Sequence, residues 1–243
     1  MRPLTFAEIL LVWEQGWDRP LVDRALLLLK AAQQNRSLAE LEEMNIGARD
    51  AELVRLRERT FGEKFVCRSQ CMKCCEELEF QLDGLENRFG AEEPSRELRA
   101  DISGVQVRYR VPSSLDIRAA LEWRDAGGAF RHLIQRCILS ARRNDELVRV
   151  EELSEEMLDE IQERMAQADP NADVRIEIVC PECGNHSNFP FDIVTYFWSE
   201  LEAQAKRQLW EVHVLAGAYG WSEAEILEMS PFRRSLYVEM AQG

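Results

Sequence analysis

Apolar residues recur along this chain at two different spacings, and the change from one to the other divides it. Ile9, Leu10, Val12 and Trp13 follow Thr5-Phe6-Ala7-Glu8 at helical spacing, and Thr5 with Glu8 forms a capping-box pattern. Gly16 ends this predicted helix. A second is predicted from about Pro20, a residue tolerated in a first turn, with Leu21, Ala25, Leu28 and Leu29 on one side. A third is predicted from about Ala48 to Thr60, carrying Leu53 and Leu56 and followed by Gly62. Residues 1–65 thus read as a helical region.

The period then drops to two. Leu78, Phe80 and Leu82 alternate with Glu77, Glu79 and Gln81, and Val174, Ile176 and Ile178 alternate with Arg175 and Glu177. That is the pattern of half-buried strands. Residues 66–83 and 171–191 each hold one such strand beside a pair of cysteines. Between them, residues 84–170 read as an α+β insertion, helical with one strand. It opens with an acidic, Pro-containing stretch from Gly90 to Arg99, then a strand with Val105, Val107, Tyr109 and Val111. A helix over Leu115 to Trp123 follows, capped by Ser113 or Ser114. Gly127-Gly128 is expected to break it before a helix from Ala129 to about Arg142, and an acidic helix should run from Ser154 to about Ala168. Residues 192–243 return to the helical period. Val194, Phe197, Leu201, Ala205, Leu209, Val212, Ala216 and Tyr219 form an amphipathic stripe ending at Gly220. Ser222 with Glu225 supplies another capping box, and Ser230-Pro231 begins a last helix over Phe232 to Met240. The expected fold is α+β and mainly helical, with helical regions at both ends joined through the two cysteine-bearing strands into one compact unit.

Charge weighs against one class of function. The 243 residues hold 44 acidic and 30 basic side chains, a formal charge of −14. Such a balance repels phosphate backbones, so a nucleic-acid-binding regulator is the minor alternative. No apolar run approaches the roughly 20 residues that span a bilayer, and the N-terminus has no signal-like core with a cleavage site. A cytoplasmic protein with reduced thiols is expected, in which seven cysteines point to metal rather than disulfides.

The cysteine spacing carries the chemistry. Cys71-Met-Lys-Cys74 and Cys180-Pro-Glu-Cys183-Gly184 each look like half of a four-thiolate site. Two such pairs placing four sulfurs around one tetrahedral Zn²⁺ form the usual closed structural arrangement, with no open position for water. The two halves with their strands read as a zinc ribbon split by the insertion. The competing reading of Cys180 and Cys183 is a pair of reduced core thiols. Cys67 and Cys75 crowd the first pair, so which two of these four face the metal stays open; only Cys71/Cys74 repeats the gap of the second pair. A redox pair would need a thioredoxin-like βαβ context, which is absent. Cys137 lies in an apolar helical stretch and reads as core. His186, just after the second pair, could replace a cysteine but reads better as a solvated loop residue, and His213 as a packing or hydrogen-bonding one. Trp13, Trp17, Trp198, Trp210 and Trp221 read as core or as anchors for a partner. No phosphate loop, nucleophile elbow or metal-hydrolase motif is present, and nothing argues for an enzyme.

Longer stretches resemble a known family. Phe191-Asp-Ile-Val-Thr-Tyr-Phe-Trp198 directly after the Cys-Pro-Glu-Cys-Gly turn resembles the T4-type baseplate hub assembly chaperones of contractile phage tails and related bacterial injection systems. So does Glu211 to Glu223, with its Tyr219-Gly220-Trp221 turn, followed by Ser230-Pro231-Phe232-Arg233-Arg234-Ser235-Leu236-Tyr237. Asp23 to Leu29 and Phe61-Gly62 are similar to it too. The first cysteine pair departs from the family in lacking Pro and Gly. The resemblance implies a non-enzymatic assembly factor or minor hub component. It would contact hub, spike or tail-tube proteins, with Trp221, Arg233, Arg234 and Tyr237 as candidate contact residues.

Overall fold

A computed structural model describes residues 1–82, 85, 95 and 97–242. Four helices open the chain: α1 (Phe6–Gly16), α2 (Leu21–Ala32), α3 (Leu38–Glu42) and α4 (Ile46–Phe61). The Thr5 hydroxyl accepts from the Glu8 amide while the Glu8 carboxylate takes the Thr5 amide, so the expected capping box forms. The same device at Ser37 and Glu40 starts α3, a helix the apolar spacing did not reveal because it is so short. Pro20 caps α2 rather than lying inside it.

Two antiparallel hairpins carry the cysteine pairs. The first joins β1 (Phe65–Gln70) to β2 (Glu77–Leu82), with Cys67 opposite Phe80. The second joins β7 (Arg175–Val179) to β8 (His186–Pro190), with Ile176 opposite Phe189. The sequence reading gave each pair one strand; each lies at the tip between two.

The insertion corrects the expectation most. It holds a four-stranded antiparallel sheet in the order β3 (Leu98–Ile102), β4 (Val105–Tyr109), β5 (Ile138–Arg143), β6 (Glu146–Val148), with α5 (Ser114–Ala120), α6 (Ala126–Cys137) and α7 (Glu155–Ala168). Gly127-Gly128 does not break a helix. It lies in the first turn of α6, where the Asp125 carboxylate accepts the Gly128 amide at 2.6 Å. The chain then leaves the helix at Ile138, well before Arg142. Two tight turns make the extra strands: Ser103-Gly104 and Asn144-Asp145 all have positive φ, the backbone of two-residue hairpin loops. Most of the Gly90–Arg99 stretch lies outside the described residues.

After the second hairpin, α8 (Ile193–Tyr219) runs for 27 residues until Gly220 at φ 71° closes it; α9 (Glu223–Glu228) and α10 (Pro231–Gln242) fold back on it. Packing occurs around separate apolar centres. Leu28, Leu29, Leu53, Leu56, Phe65, Phe197 and Leu201 join α1, α2 and α4 to the first half of α8 and the hairpin bases. Val105, Val107, Ile134, Cys137 and Ile161 fill the insertion. Leu215, Ile226 and Val238 hold the C-terminal helices together. No helix among the described residues is long and apolar enough to cross a membrane.

Candidate metal centre

Each hairpin tip is a turn built by two backbone hydrogen bonds. In the first, the Cys71 amide donates to the Glu76 carbonyl at 2.8 Å and the Cys75 amide to the Cys71 carbonyl at 2.9 Å. In the second, the Cys180 amide donates to the Asn185 carbonyl and the Gly184 amide to the Cys180 carbonyl, both at 2.9 Å. The residue after each pair must turn left-handed, and φ is 66° at Gly184 and 60° at Cys75. Cys75 therefore occupies the position that glycine fills in the other turn. Its thiol is exposed and is not among the four sulfurs that the two tips bring together.

The two tips meet and bring together Cys71, Cys74, Cys180 and Cys183, whose sulfurs all lie within 4.8 Å of one another. Cys71 Sγ is 3.7 Å from Cys183 Sγ, and Cys74 Sγ is 3.6 Å from Cys180 Sγ. A tetrahedron with metal–sulfur bonds of ~2.3 Å has edges of about 3.8 Å, so this donor set fits one tetrahedral metal. Leu78, Phe80, Ile178 and Phe189 pack beside the sulfurs, and Cys71 and Cys180 are each 1% exposed. The backbone amides of Cys74 and Lys73 pull the Cys71 thiol down to about 6. The Glu76 amide acts likewise on Cys74, but the crowding sulfurs of Cys183, Cys71 and Cys180, with burial, outweigh it and push that thiol up to about 12. Four thiols this close cannot all ionise without a cation among them, so loading a metal would release protons and link binding to folding.

The other candidates lie elsewhere. Cys67 faces the main core from β1, and burial raises its thiol; Cys137 is buried in the insertion, where burial pushes it up to about 12. His186 Nδ1 pairs with Glu177 Oε1 at 3.0 Å on the open face of the second hairpin. His213, read from the sequence as a packing or hydrogen-bonding residue, is exposed on α8. Of the tryptophans, Trp198 is buried while Trp17 and Trp210 are about half exposed.

At the C-terminus Trp221 packs between Tyr219, with ring centres 4.5 Å apart, and Tyr237, at 4.9 Å. Arg233 faces solvent, but Arg234 does not. It is 1% exposed, donates to Glu211 Oε2 and to the Met229 carbonyl, each at 3.0 Å, and lies over the Phe6 ring. Arg234 is thus corrected from a candidate contact residue to an internal tie, because a buried carboxylate and an aromatic face hold its charge. The sequence reading missed the exposed row Phe232, Leu236 and Met240, one helical turn apart on the outer side of α10. Their spacing was the available signal.

A family model described as T4 bacteriophage base plate protein matches residues 27–198. The chain belongs to this family. The match runs from α2 to the first turns of α8 and includes both cysteine pairs, the insertion and Phe191–Trp198. It ends before the C-terminal run from Glu211 to Tyr237, so a baseplate protein is identified and the narrower hub-chaperone group is not. No curated protein and no solved structure matches this baseplate protein.

Proposed function

We propose that the protein is a non-enzymatic assembly factor or minor structural component of the baseplate hub in a contractile tail or injection system. It acts by protein–protein contacts with hub, spike or tail-tube proteins, in the cytoplasm of the cell that builds the particle. Membership of the baseplate family is the observation that carries this reading. In it, Cys71, Cys74, Cys180 and Cys183 hold one structural Zn²⁺, which supplies a cross-link between two hairpins and neutralises their thiolates. The fit of the sulfur spacing to a closed tetrahedral site supports that role, since such a site keeps no position for substrate. The contact surface lies on the C-terminal helices, where Phe232, Arg233, Leu236 and Met240 are exposed beside Trp221 and Tyr237.

Affinity purification of the tagged full chain from a cell assembling tails, followed by mass spectrometry, tests it. Recovery of hub, spike or tube proteins, lost on Phe232→Asp with Met240→Asp, is the expected outcome. Recovery of polymerase, ribosomal proteins or nucleic acid without tail proteins would reject it in favour of a regulator.

A further inference from the structure

The insertion and the helical base meet through polar groups, not through a shared apolar core. The two large apolar clusters have no residue in common. At the contact, the Ile46 amide donates to the Pro112 carbonyl at 3.1 Å, and the Gly47 amide to Asp169 Oδ2 at 3.0 Å. Arg49 reaches Ser114 Oγ at 3.4 Å, and Arg118 on α5 bridges Asp23 on α2 and Glu42 on α3, both at 2.7 Å. Gly47 is matched to its neighbour: a Cβ there would lie 1.8 Å from Asp169 Oδ1 and 2.8 Å from Asn171 Cβ.

We propose that the insertion is a separately packed module that seats on the helical base at this contact and lifts from it, and that seating tightens as the pH falls. In the seated state Asp50 on α4 is buried beside Arg49, and the charges of Asp169, in the turn after α7, and Asp192, at the start of α8, act on it. Ser114, on α5, is the neutral neighbour of Arg49. Arg49 pairs with Asp50 at 2.7 Å, while Asp169 and Asp192 add negative charge there, so the seated state holds more negative charge than Arg49 balances. Burial pushes Asp50 up to about 6, with Arg49 opposing and the other two carboxylates adding to the rise. Burial raises Asp169 as well, against the Gly47 amide and Arg49. Lifting returns Asp50 to water and its ordinary value of 3.8. The seated state therefore binds the proton more tightly, so seating is fully favoured below about pH 3.8 and weakens as the pH rises from there to about 6, above which the contribution is gone.

Amide hydrogen exchange on the full chain, corrected for intrinsic rates, tests both halves. Between about pH 4.5 and about pH 8, protection of Ile46 and Gly47 should fall by about tenfold or more. The amides of Val107, Ala141, Leu28 and Leu53, inside the two cores, should not follow. In Asp50→Asn the fall should shrink. In Gly47→Ala, where alanine suits α4 better than glycine but wedges the contact open, Ile46 protection should be lost at both pH values while the core amides keep theirs. Ile46 protection retained in Gly47→Ala, or lost there together with every core amide, would overturn the separate module. A wild-type protein whose Ile46 and Gly47 exchange is independent of pH would overturn the tightening.

Discussion

The two hairpin tips have the same backbone frame and different sequences. Cys180-Pro-Glu-Cys183-Gly184 carries a proline in the turn and a glycine at the left-handed position; Cys71-Met-Lys-Cys74-Cys75 carries neither. Both nonetheless close through the same pair of hydrogen bonds and reach φ near 60–66° at the fifth residue. The turn is thus specified by the paired strands below it and the cysteines it must present, with glycine easing the conformation instead of creating it. Comparing the tips also separates the thiols. Cys75 is used for its backbone, while Cys71 and Cys74 project their sulfurs toward the partner tip.

If the two tips are equal halves of one site, breaking either should cost the same. Cys71→Ser and Cys180→Ser should each lose the metal and lower Tm by about 10 °C or more, because binding energy is folding energy here. A variant that keeps both the metal and its melting temperature, as judged by metal analysis and calorimetry, would remove that cysteine from the site. Chelation of the wild-type protein should come next in size. It should unpair the tips and expose the Cys71 and Cys180 amides to exchange, while the insertion, whose core contains none of the four cysteines, keeps its protection. Loss of protection throughout the insertion on chelation would contradict this separation.

The difference between the tips predicts effects of opposite sign. Cys75→Gly should stabilise by about 1 kcal/mol, raising Tm by about 2–4 °C, since a side chain at positive φ is strained. Gly184→Ala should destabilise by about 1 kcal/mol, although no atom crowds the position, because φ alone penalises it. Metal content should stay unchanged in both. Loss of metal in Cys75→Gly would make Cys75 a ligand after all. The smallest change in the metal is expected for Cys67→Ala: a loss of about 1 kcal/mol from the core and an unaltered stoichiometry.

Much of the helical frame was legible in the sequence because caps are local. Thr5 with Glu8, Ser222 with Glu225 and Gly220 at the end of α8 act within a turn of themselves. The strands β2, β4 and β7 were legible from alternation. Their partners were not. β8 reads His-Ser-Asn-Phe-Pro with one strong apolar residue, and β1 offers only Phe65 and Cys67 toward the core, so pairing with a neighbour makes both strands. Ile138 to Arg143 follows a helical stretch without a break residue; the signal was Asn144-Asp145, a tight-turn pair that makes sense only with a strand on each side. At the candidate site, spacing pointed to the four cysteines, but only the positions of the sulfurs separate Cys75 from them. Arg234 was misread because Glu211, its partner, lies 23 residues away and burial of a guanidinium has no sequence pattern.

X-ray absorption at the zinc edge on protein purified without added metal tests the central claim most directly. One Zn²⁺ per chain with four sulfur neighbours at ~2.3 Å is the predicted result. A protein that carries no zinc, or zinc with nitrogen or oxygen neighbours, would contradict the four-thiolate link between the hairpins.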